Sequence, residues 1–402
     1  MNMRVYPGAL QGKLTVPSSK SCAHRLLLAA ALCRGETKIL RPGENDDVEA
    51  TARCLRELGA DVSGNGQEMT VVGGLDQDRD VLLDCGESGS TLRFFLPLAA
   101  LRRGNTRLTG RGRLPQRPND TVLNALRING ARAENDFLPI EMRGGLKCGV
   151  FTLSGSVSSQ FFTGLLFALP LLEGDSRIVC ATRLESAPYV ELTRQVLAQF
   201  GIVSIPTEDG WIVPGGQIYV SPGTVATEGD WSAAAFWLGA NALGAQISLD
   251  GLRKDSCQAD KAAEAMLKKI GGEMDVSDAP DLMPVLAAAA ASVPGKDTHI
   301  IGGARLRIKE SDRIHAMAQA IRAMGGCVEE EPEGMRIHGR RLTGGTVDGA
   351  GDHRVVMSAA IAACFAQGPT NILGAEAVRK SYPGFFRDLQ ALGGKCDEYI
   401  GE

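Results

Sequence analysis

Apolar and polar positions in this chain recur on a long period as well as a short one. An apolar residue, three intervening residues and a glycine appear as Leu55-Arg-Glu-Leu-Gly59, Leu126-Arg-Ile-Asn-Gly130, Leu197-Ala-Gln-Phe-Gly201, Leu267-Lys-Lys-Ile-Gly271, Ile321-Arg-Ala-Met-Gly325 and Leu389-Gln-Ala-Leu-Gly393. Each reads as a helix ending on a C′ glycine, where a left-handed backbone meets no Cβ penalty, followed by entry into a strand. The glycines are 71, 71, 70, 54 and 68 residues apart, and 402 residues divided by six is 67, room for about two helices and three or four short strands. Two or three such boundaries are ordinary in an α/β chain, whereas six near one period predict six repeated α/β units. A solenoid of such long repeats would show stronger identity between units, so a closed arrangement in two groups of three is expected. The stretch from Thr224 to Asp230, after Ser221-Pro222-Gly223, falls between the third and fourth units and is the candidate crossover. The pattern predicts one domain at 19–228 and a second from 1–18 plus 229–402, with the extreme N-terminal strand pairing in the later half.

Within the units, polar knots stand before long apolar helices. Pro17-Ser-Ser-Lys20-Ser21-Cys-Ala-His-Arg25 precedes Leu26-Leu-Leu-Ala-Ala-Ala-Leu32, so Ser18 or Ser19 can cap a helix whose first turns carry Lys20, Ser21 and Arg25. Free N–H groups, a helix dipole and two cations suit an anion, although a capped helix with surface charges has the same pattern. Val81-Leu-Leu-Asp-Cys85 reads as a strand, Gly86-Glu-Ser-Gly89-Ser90 as a tight turn and Thr91-Leu-Arg93-Phe-Phe-Leu-Pro-Leu98 as a buried helix. That turn is neither a Walker loop nor a dinucleotide fingerprint. Gly110 to Asp120 packs Arg111, Arg113 and Arg117 into irregular chain, and Gly155-Ser-Val-Ser158-Ser159-Gln160 leads into a helix with hydroxyls and an amide at its start. Lys309-Glu310-Ser-Asp-Arg313, with Lys309 and Arg313 expected on one helical face, Asp352-His-Arg354 and Arg379-Lys380 are further charged knots. Asp281, ahead of an Ala-rich helix, is a helix cap on the bland reading and a general base on the sharper one.

Composition mostly excludes. Hydrophobic residues at 44% and charged residues at 22% are globular values, and no apolar run reaches the roughly 18 residues that span a bilayer. A net charge of -4, from 43 basic and 47 acidic residues, argues against general nucleic-acid binding and makes any cationic site local. The ten cysteines are scattered singly with no C-x-x-C, and the five histidines lack metal-ligand spacing, so reduced thiols in a cytoplasmic protein without a metal are expected.

Taken in order, the knots Pro17-Ser-Ser-Lys-Ser21, Gly155-Ser-Val-Ser-Ser-Gln-Phe161, Lys309-Glu-Ser-Asp-Arg313 and Asp352-His-Arg354 resemble those of the 3-phosphoshikimate 1-carboxyvinyltransferase (enolpyruvylshikimate-phosphate synthase) family, from about Pro17 to Phe386. The resemblance implies a two-domain inverse α/β barrel of six βαβαββ-like units in two groups of three, with the active site in the interdomain cleft. It implies transfer of enolpyruvyl from phosphoenolpyruvate to the 5-hydroxyl of shikimate 3-phosphate by a cytoplasmic monomer with no metal or organic cofactor and no nucleic-acid or membrane partner. Carried over by position, Lys20, Ser21, Arg25, Ser158, Ser159, Gln160, Ser186, Asp281 and Lys309 are expected at shikimate 3-phosphate. Lys20, Gly89, Arg117, Gln160, Arg313, Arg354 and Lys380 are expected around phosphoenolpyruvate, with Lys20 meeting both substrates. Asp281 takes the role of proton acceptor for the 5-hydroxyl, and Glu310 that of proton donor to the methylene carbon. Both substrates carry a carboxylate and a phosphate, so a local excess of cations is what their joint binding needs.

Two departures stand out. Glu87-Ser-Gly89-Ser-Thr-Leu-Arg93 replaces the commoner Asn-Ala-Gly-Thr-Ala-Met-Arg, which leaves the response to the inhibitor glyphosate open, and Arg305 stands where many members have an asparagine. The nearest rival, the UDP-N-acetylglucosamine enolpyruvyl transferases, usually carries a cysteine on the loop corresponding to Gly110–Asp120 and Lys-Asn in place of Lys20-Ser21; this chain has neither. An RNA-processing or RNA-binding relative of the cyclase fold would be expected to show four repeats and a catalytic histidine, and the acidic balance is unfavourable to it; a non-catalytic relative stays open as an alternative, although every charged group expected of the enzyme is present.

Overall fold

Among residues 1–399, which the computed structural model describes, one four-stranded sheet is built five times over. Its pattern is clear in Val150–Leu153, which runs parallel to Ser176–Cys180; that strand pairs antiparallel with Gly210–Val213, which pairs antiparallel with Ile205–Thr207. The chain divides into two units, Ser18–Glu228 and Met1–Pro17 with the chain from Gly229 onward. The Ser18–Glu228 unit holds three of these sheets, and the first place in one is taken by Thr224–Ala226, parallel to Glu36–Leu40.

In the other unit, Asn2–Tyr6 inserts between Thr370–Leu373 and Lys395–Tyr399, antiparallel to both. The sixth repeat is reduced to a parallel pair, Gln11–Thr15 beside Gln246–Asp250. Here lies the origin of the one short interval between landmark glycines. After Gly59, Gly130, Gly201 and Gly325 the chain makes an antiparallel hairpin, such as Asp61–Gly64 with Glu68–Val72. After Gly271 it passes directly into Glu273–Asp275, the parallel neighbour of Asp297–Ile301. All six landmark glycines have positive φ, between 77° and 102°, so the recurring glycine is a demand of the helix-to-strand corner.

Within each unit the helices are inside and the sheets outside, the inverse of the usual α/β barrel. In the Ser18–Glu228 unit, Lys20–Leu32, Gly89–Ala99 and Ser159–Ala168 are buried along almost their whole lengths, while the strands alternate buried and exposed residues. Small residues let the helices close up: a Cβ on Gly164 would lie 2.5 Å from the Arg93 carbonyl oxygen. Pro97, four residues beyond Arg93, has no N–H to give that carbonyl, so the two helices meet where the backbone is thinnest. In the other unit the alanine-rich Met283–Ala291 is wholly buried, and Trp237 stacks on Phe385 with ring centroids 5.2 Å apart. No described helix is long and apolar enough to cross a membrane.

Candidate active site

Hydroxyl-bearing residues set the helix starts of the Ser18–Glu228 unit. Ser19 rather than Ser18 caps Lys20–Leu32, accepting from the Cys22 N–H; Ser88 caps Gly89–Ala99 and Ser158 caps Ser159–Ala168. Each cap leaves other N–H groups of the first turn pointing out of the helix, at the positive end of its dipole. Lys20 is paired with Asp47 at 2.7 Å, a partner that the sequence reading missed because Asp47 belongs to the first turn of a separate helix, Asp46–Glu57.

Arg93 ties two of these helix starts together. Its Nη1 donates to Gln160 Oε1 at 2.8 Å and to Ser158 Oγ at 3.3 Å, and its guanidinium lies over the Phe161 ring. Gln160 Nε2 donates to Ser90 Oγ at 2.9 Å, so the amide is held at both ends. Arg117 closes on the same turn: a Cβ on Gly89 would lie 2.8 Å from its Nη1. Gly89, Arg117, Ser158 and Gln160 thus form one cluster, and Arg93, left out of the expected site, is its hub. Ser159, at 7% exposure, begins the helix beside Ser158.

Arg25 is not in that cluster. It is 3% exposed and donates to Thr193 Oγ1, the Ser21 carbonyl, the Tyr189 carbonyl and Thr163 Oγ1. Burial pulls its guanidinium down to about 10, still cationic at neutral pH. It fastens Lys20–Leu32 to the helix Ala187–Gln199, ahead of which Ser186 sits in a left-handed conformation at φ 56°.

The second unit gathers the acidic residues and four more cations. Asp281 lies in the short turn Pro280–Leu282 before Met283–Ala291 and makes no side-chain cap; its carboxylate faces cations instead. Oδ1 accepts from Arg313 Nη1 at 2.7 Å, Oδ2 from Arg354 Nη2 at 2.9 Å, and Lys309 Nζ is 3.8 Å away. Burial pushes this carboxyl up, but Arg354, then Lys309 and Arg313, outweigh it and hold the group well below the usual carboxylate range. Arg313, 1% exposed, also donates to Glu310 Oε2 at 2.7 Å and to Asp352 Oδ2 at 2.7 Å. Burial would lower Arg313, yet Asp352, Glu310 and Asp281 together keep it above its ordinary value.

The expected helical face shared by Lys309 and Arg313 does not form. The helix begins at Arg313, capped by Asp312, while Lys309 is extended with ψ -155°, because the Asp312 side chain accepts from the His315 N–H and starts the helix there. Asp352 caps His353–Cys364 and anchors Arg313, a role that its place in a charged knot does not reveal. Lys380 Nζ donates to the Gly351 carbonyl at 3.3 Å, beside that same helix start.

The model of the family described as EPSP synthase (3-phosphoshikimate 1-carboxyvinyltransferase) matches residues 5–278 and 271–389. The chain is 39% identical over 419 aligned positions to a protein of Clostridium kluyveri named 3-phosphoshikimate 1-carboxyvinyltransferase, covering 98% of both chains. It is 37% identical to a protein of that name from Clostridium beijerinckii, covering 100% of each. Among solved structures it resembles the EPSP synthase of Acinetobacter baumannii, with a TM-score of 0.82, 26% identity and coverage of 99% of this chain and 100% of that one. With its fold, its full-length relatives and the family match in agreement, the chain belongs to the EPSP synthase (3-phosphoshikimate 1-carboxyvinyltransferase) family.

Proposed function

We propose that the two residue sets described above are the working groups of the family's reaction, the transfer of enolpyruvyl from phosphoenolpyruvate to the 5-hydroxyl of shikimate 3-phosphate with release of phosphate. Ser21, Ser158, Ser159, Ser186 and Lys20 receive the sugar-ring substrate and its phosphate, with Gln160 against the ring and Arg25 holding the helices that carry them. Gly89 and Arg117 from one unit, and Arg313, Arg354 and Lys380 from the other, take phosphoenolpyruvate, while Lys309 meets the shikimate phosphate.

The observation that carries this reading is Asp281 held by Arg313, Arg354 and Lys309, with Glu310 on the far side of Arg313. With its cations unoccupied, Asp281 is a poor base. Anionic substrates draw on those cations, so each arriving phosphate or carboxylate weakens the field that holds the Asp281 proton off. Basicity therefore rises when both substrates are present, the moment at which the 5-hydroxyl must lose its proton.

The 5-oxygen then bonds to C2 of phosphoenolpyruvate while C3 receives a proton from Glu310. In the elimination that follows, the C2–oxygen bond to phosphate breaks, the methyl carbon returns a proton to the Glu310 carboxylate, the double bond re-forms, and the proton held by Asp281 goes to the departing phosphate. Arg313 links Glu310 to Asp281 through one guanidinium, so the charge of each carboxyl is felt by the other. A coupled assay of phosphate release tests the reading: turnover is expected with shikimate 3-phosphate and none with UDP-N-acetylglucosamine. The reverse preference would assign the chain's chemistry to the rival acceptor.

A further inference from the structure

A buried chain of hydrogen bonds behind the Gly89 turn has no part in the reaction as written. His24, on the helix Lys20–Leu32, has its Nδ1 2.7 Å from Thr51 Oγ1, on Asp46–Glu57. Thr51 Oγ1 is in turn 2.7 Å from Thr91 Oγ1, on Gly89–Ala99. Thr91 gives both its hydroxyl proton, at 2.7 Å, and its N–H, at 3.2 Å, to Ser88 Oγ, the cap of that helix. The chain joins three helices, and none of its side chains is more than 1% exposed.

Counting hydrogens fixes its direction. A hydroxyl has a single proton to give. Thr91 gives its own to Ser88, so the Thr51–Thr91 bond is carried by the Thr51 proton. No hydroxyl proton is then left for the Thr51–His24 bond, which requires an N–H on His24 Nδ1. The opposite tautomer would leave two oxygens 2.7 Å apart with no hydrogen between them, and would place an N–H at Nε2, which is buried with no partner among the described residues. An unmade donor costs more in a dry interior than a bare ring nitrogen does. The imidazole is neutral: burial, then Lys20 and Arg25 on its own helix, hold it well below the usual histidine value. Phe94 meets the ring at 86° with centroids 6.3 Å apart, which fixes the plane in which the N–H lies.

We propose that His24 is a positioning residue for phosphoenolpyruvate: as the Nδ1–H tautomer it heads a one-way chain, His24 to Thr51 to Thr91 to Ser88, that holds the start of Gly89–Ala99 in its ligand-receiving arrangement. The inference rests on the reading of Gly89 as a phosphoenolpyruvate contact. His24 is the member whose proton cannot turn away, since a hydroxyl rotates about its C–O bond and an imidazole N–H does not leave the ring plane. Without that donor the Thr51 hydroxyl has no fixed direction, the Thr91 oxygen loses its own donor, and Ser88 is no longer pinned as the acceptor of both Thr91 groups. Gly89 follows Ser88 directly and has Arg117 pressed against it, so looseness at the cap passes straight to both proposed ligand groups.

Two amides test the chain by chemistry as well as by loss. An asparagine Nδ2 lies as many bonds from Cβ as a histidine Nδ1, whereas a glutamine Nε2 corresponds to the far ring nitrogen. His24→Asn is therefore expected to keep the phosphoenolpyruvate KM within about twofold of the wild type's, while His24→Leu and His24→Gln raise it about tenfold with kcat nearly unchanged. The KM for shikimate 3-phosphate should move less than about twofold in all three. Thr51→Val breaks the same chain at its next link, so adding it to His24→Leu should raise the phosphoenolpyruvate KM no further. Nitrogen NMR of histidine-labelled wild type, assigned by the signals missing from His24→Asn, should show a protonated Nδ1 and a bare Nε2.

A bare Nδ1, an asparagine variant no better than the leucine one, or KM values for the two substrates that rise together each overturn the proposal. Gly89→Ala separates the two levels of the argument. An unchanged phosphoenolpyruvate KM in that variant overturns the site reading and the inference together, whereas a raised KM there beside a wild-type KM in His24→Leu overturns the inference alone.

Discussion

At the scale of single residues, the site stores charge in opposed pairs. Asp281 is ionised because three cations surround it, and those cations are the groups proposed to take the anionic substrates. Asp281→Asn is therefore expected to do two things at once. The loss of a proton acceptor lowers kcat by roughly 10²–10⁴, while the release of Arg313, Arg354 and Lys309 from a competing carboxylate leaves the affinity for phosphoenolpyruvate equal to or tighter than the wild type's. Steady-state kinetics with a separate binding titration checks both; full activity, or a loss confined to binding, would remove the proton-transfer role. Asp260, fully buried in the turn Ala259–Ala262 and accepting from the Ser232 hydroxyl, supplies a stability test of the opposite sign. Its folded carboxyl lies at about 6, above the ordinary 3.8, so the folded state holds more protons than the unfolded one between these values. Its contribution is most favourable below pH 4 and falls as pH rises through 6, a loss on the order of 3 kcal/mol at pH 8. Asp260→Asn keeps an acceptor for Ser232 and is never ionised, so its melting temperature should exceed that of the wild type at pH 8 and approach it near pH 4. A variant destabilised at both pH values would mean that the ionised form is what holds this turn together.

At the scale of elements, helix starts do the positioning, and two glycines show how differently they tolerate an added methyl group. A Cβ at Gly89 meets the tip of the Arg117 side chain, which can swing aside, so Gly89→Ala should keep its stability and raise the phosphoenolpyruvate KM about tenfold. A Cβ at Gly164 meets the Arg93 carbonyl and the Pro97 ring, neither of which can yield without moving the helix. Gly164→Ala is expected to cost about 1–3 kcal/mol and lower the melting temperature by several degrees. Calorimetry and kinetics on the two variants should split cleanly along that line. The same contrast explains what could be read in the sequence. The six corner glycines are visible because a left-handed corner leaves the chain little choice of residue, and the caps are visible because only short oxygen-bearing side chains reach the first free N–H groups. The charged run suggests a helix through Lys309 because Asp312, the cap at which the helix begins, is also acceptable inside such a run. Asp47, Asp352 and Asp260 left no local signal, since each is defined by a cation or a hydroxyl that lies 27, 39 or 28 positions away. The missing hairpin left only the shortened interval before Gly325, which gives a length and not a shape.

At the scale of the molecule, one unit is an insertion in the other. The Ser18–Glu228 unit has its own apolar core, running from Cys22 through Phe94, Phe161 and Phe200 to Val225. Its entry and exit lie side by side, the Ser19 N–H donating to the Glu228 carbonyl at 2.8 Å. The other unit closes in the same way, the Asp230 N–H donating to the Pro17 carbonyl at 2.9 Å. Chain ends this close mean that separating the units breaks two peptide connections and leaves the described strand pairings intact, because among the described residues each sheet is completed within one unit or the other. Residues 18–228 expressed alone are therefore expected to unfold cooperatively and to bind shikimate 3-phosphate through the serines at the helix starts. Their affinity should fall with rising salt, since screening weakens charge-assisted contacts to phosphate, and it should fall short of the whole enzyme's because Lys309 and Asp281 are absent. The remainder, with Pro17 joined to Gly229 through a short flexible linker, is expected to fold and to turn over nothing. Asp281 and Glu310 then have no acceptor hydroxyl to work on, just as the serine-bearing unit has no base. Circular dichroism melts, a binding titration across salt concentrations and the phosphate-release assay check each piece. Turnover by either piece alone would show that the proton-transfer pair has been assigned to the wrong place, and a fragment 18–228 that folds yet ignores shikimate 3-phosphate would remove Ser158, Ser159 and Ser186 from its site.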